Sequence, residues 1–258
     1  MIYIVSIWTK QKKKQKEIIH QLEKKKAQIY QKLNLKITKH LLIKYKKYLF
    51  IKTLDTKYPQ IRRVRRDGSC FYRSYLFQIF EHIVLNKDKN LHQKIQNIIK
   101  QSKDDLIKAQ YQEFVLEDFY DNIMEQLANI INYDFSIDNL QNMFNDKSIS
   151  DYLVMYLRFM TSGYLKNNAI LYENFIENGV SIHQFCQTEV DPLDKEADQI
   201  PMMALINYLC VPIKIIYLNS NPNNTEPNMI ILPEGIDEKD VFVTLLYRPG
   251  HYDIAYTN

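Results

Sequence analysis

Apolar residues change their spacing near residue 210. Before it they recur every three or four positions, and after it they come in short runs split by turn residues. Helical spacing predicts elements over Cys70 to Val84, Leu91 to Ala109, Leu116 to Ile131, Ile137 to Phe144, Ser150 to Leu165 and Ala169 to Ile176. Two more follow, a short one over Ser181 to Gln187 and a last one over Asp198 to Leu209. In the first, Phe71, Tyr75, Ile79 and Ile83 stand four apart, a stripe that packs on a core. The β-rich runs are Val211 to Leu218, Met229 to Leu232, Val241 to Tyr247 and His251 to Tyr256, and Asn219 to Pro227 is a loop by composition. Helices first and strands last predict an α+β domain, a helical subdomain packed on a small antiparallel or mixed sheet near the C-terminus. The pattern contains no internal repeat and no second globular domain.

Upstream, Lys10 to Leu35 reads as a further helix, with Ile18, Ile19, Leu22, Ile29 and Leu33 on one side and Lys and Gln elsewhere. Charge sets this stretch apart. Residues 1–50 hold 14 Lys against 2 Glu, whereas residues 51–258 hold 20 basic and 28 acidic residues. The chain therefore divides into a Lys-rich, helical arm over 1–50 and an acidic body over 51–258. A basic amphipathic helix can touch anionic membrane, nucleic acid or a partner protein, but most charge runs are solvated faces. Pro59 marks a boundary, because it disfavours helix at Tyr58. An acidic body makes a poor nucleic-acid surface and suits a basic protein substrate. No apolar run approaches the ~20 residues of a membrane helix, so no membrane span is expected. Met1 to Trp8 is apolar but too short, and too lacking in basic residues ahead of it, for a signal peptide.

Three cysteines, Cys70, Cys186 and Cys210, cannot all pair, and their wide spacing suggests neither a zinc site nor a disulfide framework. Free thiols fit a reducing compartment, the cytosol or the nucleus. Cys186 and Cys210 sit in apolar surroundings and read as small buried hydrophobes. Cys70 differs. It follows the turn Asp67-Gly68-Ser69 and opens a helix, where orphan amides and the helix dipole favour a thiolate and can bind an oxyanion. His251 follows Pro249-Gly250 in a strand-like tail, and Asp253 lies two residues on, so both share a strand face. Thiol, base and orienting carboxylate make a nucleophile system. Asp67 has two readings at this level. Its backbone N–H can join that of Cys70 in an oxyanion hole, or its side chain can merely stabilise the turn. The other histidines, His20, His40, His82, His92 and His183, fall in helical stretches and read as surface or packing residues.

These residues belong to a longer ordered set. Tyr58-Pro59-Gln60-Ile61-Arg62 leads into Arg66-Asp67-Gly68-Ser69-Cys70-Phe71-Tyr72-Arg73. Ser150-Asp151-Tyr152-Leu153-Val154, Tyr156-Leu157-Arg158 and Thr161-Ser162-Gly163-Tyr164-Leu165 come next, then Phe185-Cys186-Gln187, Glu189-Val190-Asp191-Pro192 and Lys195-Glu196-Ala197-Asp198. The set closes on Leu232-Pro233-Glu234-Gly235 and Leu245-Leu246-Tyr247-Arg248-Pro249-Gly250-His251-Tyr252-Asp253-Ile254. Over roughly Leu54 to Tyr256 the chain resembles the otubains, ovarian-tumour-domain (OTU) deubiquitinases of the papain-like cysteine protease superfamily. The resemblance implies an OTU catalytic domain in the body and hydrolysis of isopeptide bonds in polyubiquitin. In that reading Cys70 is the nucleophile, His251 the base, Asp253 its orienter, and Asp67, Gly68, Ser69 and Cys70 the oxyanion loop. It implies no metal or cofactor, and partners that are ubiquitin and, through an N-terminal arm in some otubains, ubiquitin-conjugating enzymes. Two alternatives stay open: a regulator that mainly binds ubiquitin or a conjugating enzyme, and a hydrolase of another ubiquitin-like modifier. The chain departs from the family at Ser69, where asparagine is usual, and over its first ~50 residues. Ubiquitin's tail is basic, so Glu189, Asp191, Asp194, Glu196 and Asp198 are candidates to receive it, against the plainer reading of solvated loop charges.

Overall fold

The structure, a computed structural model, describes residues 20–22, 24–25, 49–218 and 227–257. Most of the expected Lys-rich helix and of the loop after Leu218 lie outside the described residues; within the former, 20–22 and 24–25 are helical. The described body begins with a helix over residues 49–57 (α1) and a three-residue strand Gln60–Arg62 (β1). Neither was anticipated, and α1 runs through position 50, where charge placed the start of the body. Its register explains why. Leu54 and Tyr58, with Phe50 beside them, pack on Ile216, Leu246 and Ala255, a small apolar cluster separate from the main core. Lys57 and Lys214 both pair with Glu238 at the edge of this contact, at 3.4 and 3.2 Å.

Six helices then appear close to where the apolar period placed them: Cys70–Asn86 (α2), Lys89–Lys108 (α3), Glu113–Ile130 (α4), Ile137–Asn145 (α5), Lys147–Asn167 (α6) and, later, Gln199–Leu209 (α9). Capping sets several starts. Asp88 accepts from the Leu91 N–H, Ser136 and Asn139 form a reciprocal capping box, and Asp146 accepts from the Ser148 N–H. Between α6 and α9 the expectation of two plain helices is corrected. Ala169–Tyr172 (α7) passes into a 3-10 turn, Glu173–Phe175, and Ile182–Phe185 (α8) widens into a π-helix over Cys186–Val190. There the Asp191 N–H reaches back five residues to the Cys186 carbonyl at 2.8 Å.

The strands Ile213–Tyr217 (β2), Asn228–Leu232 (β3), Val243–Arg248 (β4) and His251–Tyr256 (β5) join β1 in one mixed sheet of order β1-β5-β4-β2-β3. Only the β2–β4 pairing is parallel, with Ile213 opposite Val243; the others are antiparallel. The main core lies between this sheet and the helices, with α2 at its centre. The stripe expected along α2 understates its burial. Arg73, Ser74, Gln78 and Glu81 are buried as well as the apolar stripe. Each of these polar groups has a partner, as burial demands. Gln78 accepts from the Thr244 N–H of β4 at 2.9 Å, and Glu81 accepts from Arg62 and Tyr256, tying α2 to β1 and β5.

Candidate active site

Cys70 is the first residue of α2, and its neighbours leave the helix start open. Ser69 is the N-cap residue but makes no capping hydrogen bond. Its hydroxyl turns inward instead, donating to the Leu193 carbonyl at 2.6 Å. The amides of the first turn therefore stay available to a thiolate or an oxyanion. The Tyr252 N–H of β5 points at the Cys70 sulfur from 3.4 Å. Cys70 itself is buried, its sulfur against the start of β5.

The β4–β5 hairpin delivers the histidine. Arg248 stands opposite His251, leaving Pro249-Gly250 as a two-residue turn with Gly250 at φ +74°. Proline at the first turn position and glycine at the second is the type II pattern, which requires positive φ at the glycine. Along β5, Tyr252 and Ile254 enter the helical core while His251 and Asp253 take the other face. Asp253 Oδ1 accepts from His251 Nε2 at 2.9 Å and from the Val64 N–H at 3.0 Å, and Oδ2 accepts from Arg248 at 2.7 Å. A carboxylate only accepts, so Nε2 carries the proton and Nδ1 is left for the thiol. Nδ1 is buried and has no nitrogen or oxygen partner among the described residues. This inverts the serine-protease ring orientation, in which the carboxylate takes Nδ1. Burial pulls the His251 pKa down, but Asp253 and the Cys70 sulfur more than offset it and raise it to about 9. Burial pushes the Asp253 carboxyl up, yet His251, the Val64 amide and Arg248 together hold it below its usual value. The geometry thus favours an imidazolium beside the thiol, on a fixed carboxylate.

Asp67 is committed through its side chain. Oδ1 accepts from the Ser69 N–H at 3.1 Å, and Oδ2 from Arg73 Nε and Nη2 at 3.1 and 2.8 Å. Arg73 and Arg65 both continue to Asp151. Gly68 has φ +76°, and a Cβ there would stand 2.2 Å from the Asp194 carbonyl oxygen. Only glycine lets the loop approach that chain so closely.

The five acidic candidates separate. Glu196 lines a cleft of about 200 Å³ with Arg66, Gly68, Cys70, Arg248 and His251. Glu196 and Asp198 line an adjoining cleft of about 370 Å³ with Cys70, Tyr247 and Tyr252. The two clefts meet at Cys70, Glu196 and Gly250, and so flank the thiol. The other three are placed differently. Asp191 is corrected as a solvated carboxylate: its Oδ1 accepts from Ser162 and Tyr111 of the helical body. Glu189 is exposed but pairs with Lys195 at 3.2 Å, and Asp194 meets the site through its main chain. Of the two further cysteines, Cys186 is buried, and burial raises its thiol to about 11. Cys210 is corrected: it is exposed, at the left-handed C-cap of α9 with φ +51°. His92 is a packing residue bonded to the Leu127 carbonyl at 2.8 Å, and His82 stacks on Phe242. His183 and His20 are exposed, and His40 lies outside the described residues. Sequence reasoning missed Arg158, which lies fully buried against the Asp67–Cys70 loop. A charged residue inside the apolar run Tyr156-Leu157-Arg158-Phe159-Met160 was the available signal.

A thiol at a helix start, an imidazole on a strand end and a carboxylate behind it, on helices packed against a small sheet, define a papain-like cysteine peptidase. The family model described as Peptidase C65 Otubain matches residues 8–257. The chain belongs to the otubain family. It is 44% identical over 206 residues to the human protein named ubiquitin thioesterase OTUB1, covering 80% of this chain and 73% of that one. It is 38% identical over 221 residues to ovarian tumor domain-containing deubiquitinating enzyme 1 of Arabidopsis thaliana, covering 80% and 72%. Among solved structures, a complex titled as ceOTUB1 with ubiquitin aldehyde and UBC13~Ub superposes with a TM-score of 0.72 at 28% identity, covering 87% of this chain and 88% of that one. A complex titled as h/ceOTUB1, ubiquitin aldehyde and UBCH5B~Ub gives 0.74 at 26%, covering 95% and 98%.

Proposed function

We propose that the chain is a deubiquitinating cysteine peptidase that hydrolyses isopeptide bonds in polyubiquitin chains. The observation that carries the roles is the convergence of Cys70, His251 and Asp253, with the histidine proton held on the Asp253 side. The Cys70 thiolate attacks the carbonyl carbon of ubiquitin's C-terminal glycine, and the π electrons move to the oxygen. The Cys70 N–H and the backbone of the Asp67 loop stabilise that oxygen. The tetrahedral adduct collapses as the His251 imidazolium gives its proton to the departing lysine amine, which breaks the C–N bond and leaves a thioester. Neutral His251 then takes a proton from water as the water attacks the thioester, and the thiolate leaves. Asp253 keeps one tautomer and one ring orientation throughout. Glu196 and Asp198, beside Cys70, receive the basic tail.

A second reading is a regulator that holds ubiquitin-charged conjugating enzymes. The similar solved complexes, which hold UBC13~Ub and UBCH5B~Ub, favour it. One experiment separates the two: incubation of the purified chain and Cys70→Ala with di-ubiquitins of every linkage. Cleavage by the wild type that is lost in the variant supports the peptidase. Binding without cleavage of any linkage removes it in favour of the regulator.

A further inference from the structure

Arg158, in α6, is fully buried, and among the described residues its guanidinium pairs with no carboxylate. Its hydrogen-bond partners are four main-chain carbonyls and one hydroxyl. Nη1 donates to the Val190 carbonyl at 2.8 Å, the last residue of the π-helix. Nη2 faces the carbonyls of Gly68 (3.2 Å), Leu193 (3.1 Å) and Lys195 (2.6 Å) and the Ser69 hydroxyl (2.9 Å). An Nη2 group has two hydrogens, so these four oxygens share them. The two segments that meet here are the Asp67–Cys70 loop and the 190–195 loop. Without the guanidinium, the buried Val190 carbonyl and the part-buried Gly68 and Lys195 carbonyls would lose this donor, while Leu193 would keep the Ser69 hydroxyl. A buried arginine is itself costly, and burial pulls its pKa below the usual value while the Tyr72 and Asp67 side chains oppose that. Its planar fork is what lets one side chain reach two chain segments at once.

The consequence for the site lies in one peptide. The Gly68 carbonyl accepts from Arg158, and the Ser69 N–H on the other side of that peptide donates to Asp67. The peptide is pinned at both ends. The N–H groups of Gly68 and Cys70 make no hydrogen bond among the described residues, and both residues line the cleft. We infer that Arg158 is a positioning residue that locks the Asp67–Cys70 loop against the 190–195 loop, so that its free amides meet the oxyanion of the tetrahedral intermediate. The inference rests on the peptidase reading above. A shift of the 68–69 peptide would carry the neighbouring Gly68 and Cys70 amides away from the developing negative charge.

The test compares the wild type with Arg158→Lys and Ser69→Ala. Lysine keeps the charge but cannot span both segments, and alanine removes the bonds of the Ser69 hydroxyl while leaving its N–H bond to Asp67 and the guanidinium. For each, kcat and KM are measured on a fluorogenic C-terminal ubiquitin amide, with Kd for ubiquitin and Ki for ubiquitin aldehyde. The aldehyde adds Cys70 sulfur to its carbonyl carbon, and its oxygen takes the proton from His251, so it reports the tetrahedral adduct. A misplacement of the donors by ~1 Å predicts about a 10²-fold fall in kcat for Arg158→Lys, with aldehyde affinity falling in parallel. Ubiquitin Kd and KM stay within about twofold. Ser69→Ala shifts the same two quantities in the same direction by less. Equal losses of ubiquitin and aldehyde affinity would mean a merely structural role and overturn the inference. So would unchanged kcat and aldehyde affinity in either variant, and Ser69→Ala decides alone if Arg158→Lys does not fold. A wild type that cleaves nothing would remove the peptidase reading, and the inference with it.

Discussion

Gly68→Ala tests the catalytic loop most directly, because two independent costs fall on one methyl group. Gly68 sits at φ +76°, and its Cβ would stand 2.2 Å from the Asp194 carbonyl oxygen and 2.3 Å from the carbonyl carbon. The left-handed conformation costs an L-residue about 1–2 kcal/mol. At this chain length that corresponds to a fall in Tm of roughly 2–8 °C. The clash is with main chain, so no side-chain rotamer relieves it. Ordinary contact begins near 3.4 Å, and the loops must separate by more than 1 Å to reach it. That movement breaks the Arg158 and Ser69 bonds to the 190–195 loop and displaces the Cys70 amide. A displacement of this size near reacting atoms costs on the order of 10²-fold in kcat. The assay is steady-state hydrolysis of a fluorogenic ubiquitin amide, read beside a thermal melt and active-site titration with ubiquitin aldehyde. A folded variant with kcat within about threefold of wild type would refute the claim that this close approach sets the oxyanion loop.

The remaining predictions concern the ionisable groups. The His251 pKa, raised to about 9, means that the folded state favours the protonated ring. Its contribution to stability is full below about 6.5 and is lost as the pH rises through about 9. Denaturant unfolding between pH 6 and about 10 should show that loss, and kcat/KM should fall on the same alkaline limb. In Cys70→Ala, hydrolysis disappears and the His251 pKa followed by NMR drops, because the sulfur no longer supports the proton; an unchanged pKa would place the ring away from the thiol. Asp253→Asn removes the charge that three donors share and can leave the ring in the wrong tautomer, so kcat falls on the order of 10³–10⁴-fold while ubiquitin Kd stays near the wild-type value. The double reversal Glu196→Lys with Asp198→Lys lowers kcat/KM about tenfold at low salt, with the deficit shrinking as salt screens the cleft. The same reversal of Glu189 alone, which lies paired with Lys195, has little effect; equal losses at both places would point to bulk charge instead of a tail-binding cleft.

Much of the candidate site was legible without coordinates because its parts are local. Gly68 before a helix-opening cysteine, and His251 two residues from Asp253 in an alternating run, are relations over a few residues. Helical and strand geometry turn such spacing into shared faces. The 3.6-residue period likewise placed α2 to α6 and α9 within a few residues, and the change of period near 210 announced the sheet. What spacing could not supply was anything that depends on chains distant in sequence. Gln60–Arg62 is too short to show a period and becomes a strand only because Tyr256 and Ile254 lie opposite it. The capture of Asp191 by Ser162 and Tyr111 follows from partners remote in the chain, and neither the widening of α8 into a π-helix nor the exposure of Cys210 shows in the apolar spacing. The same holds for Arg158. By itself the sequence determined which residues could do the chemistry, because nucleophile, base and carboxylate are set by residue type and short spacing. Only the tertiary structure decided how the loop carrying the nucleophile is held, because carbonyls from two loops distant in sequence converge on one guanidinium that reaches both.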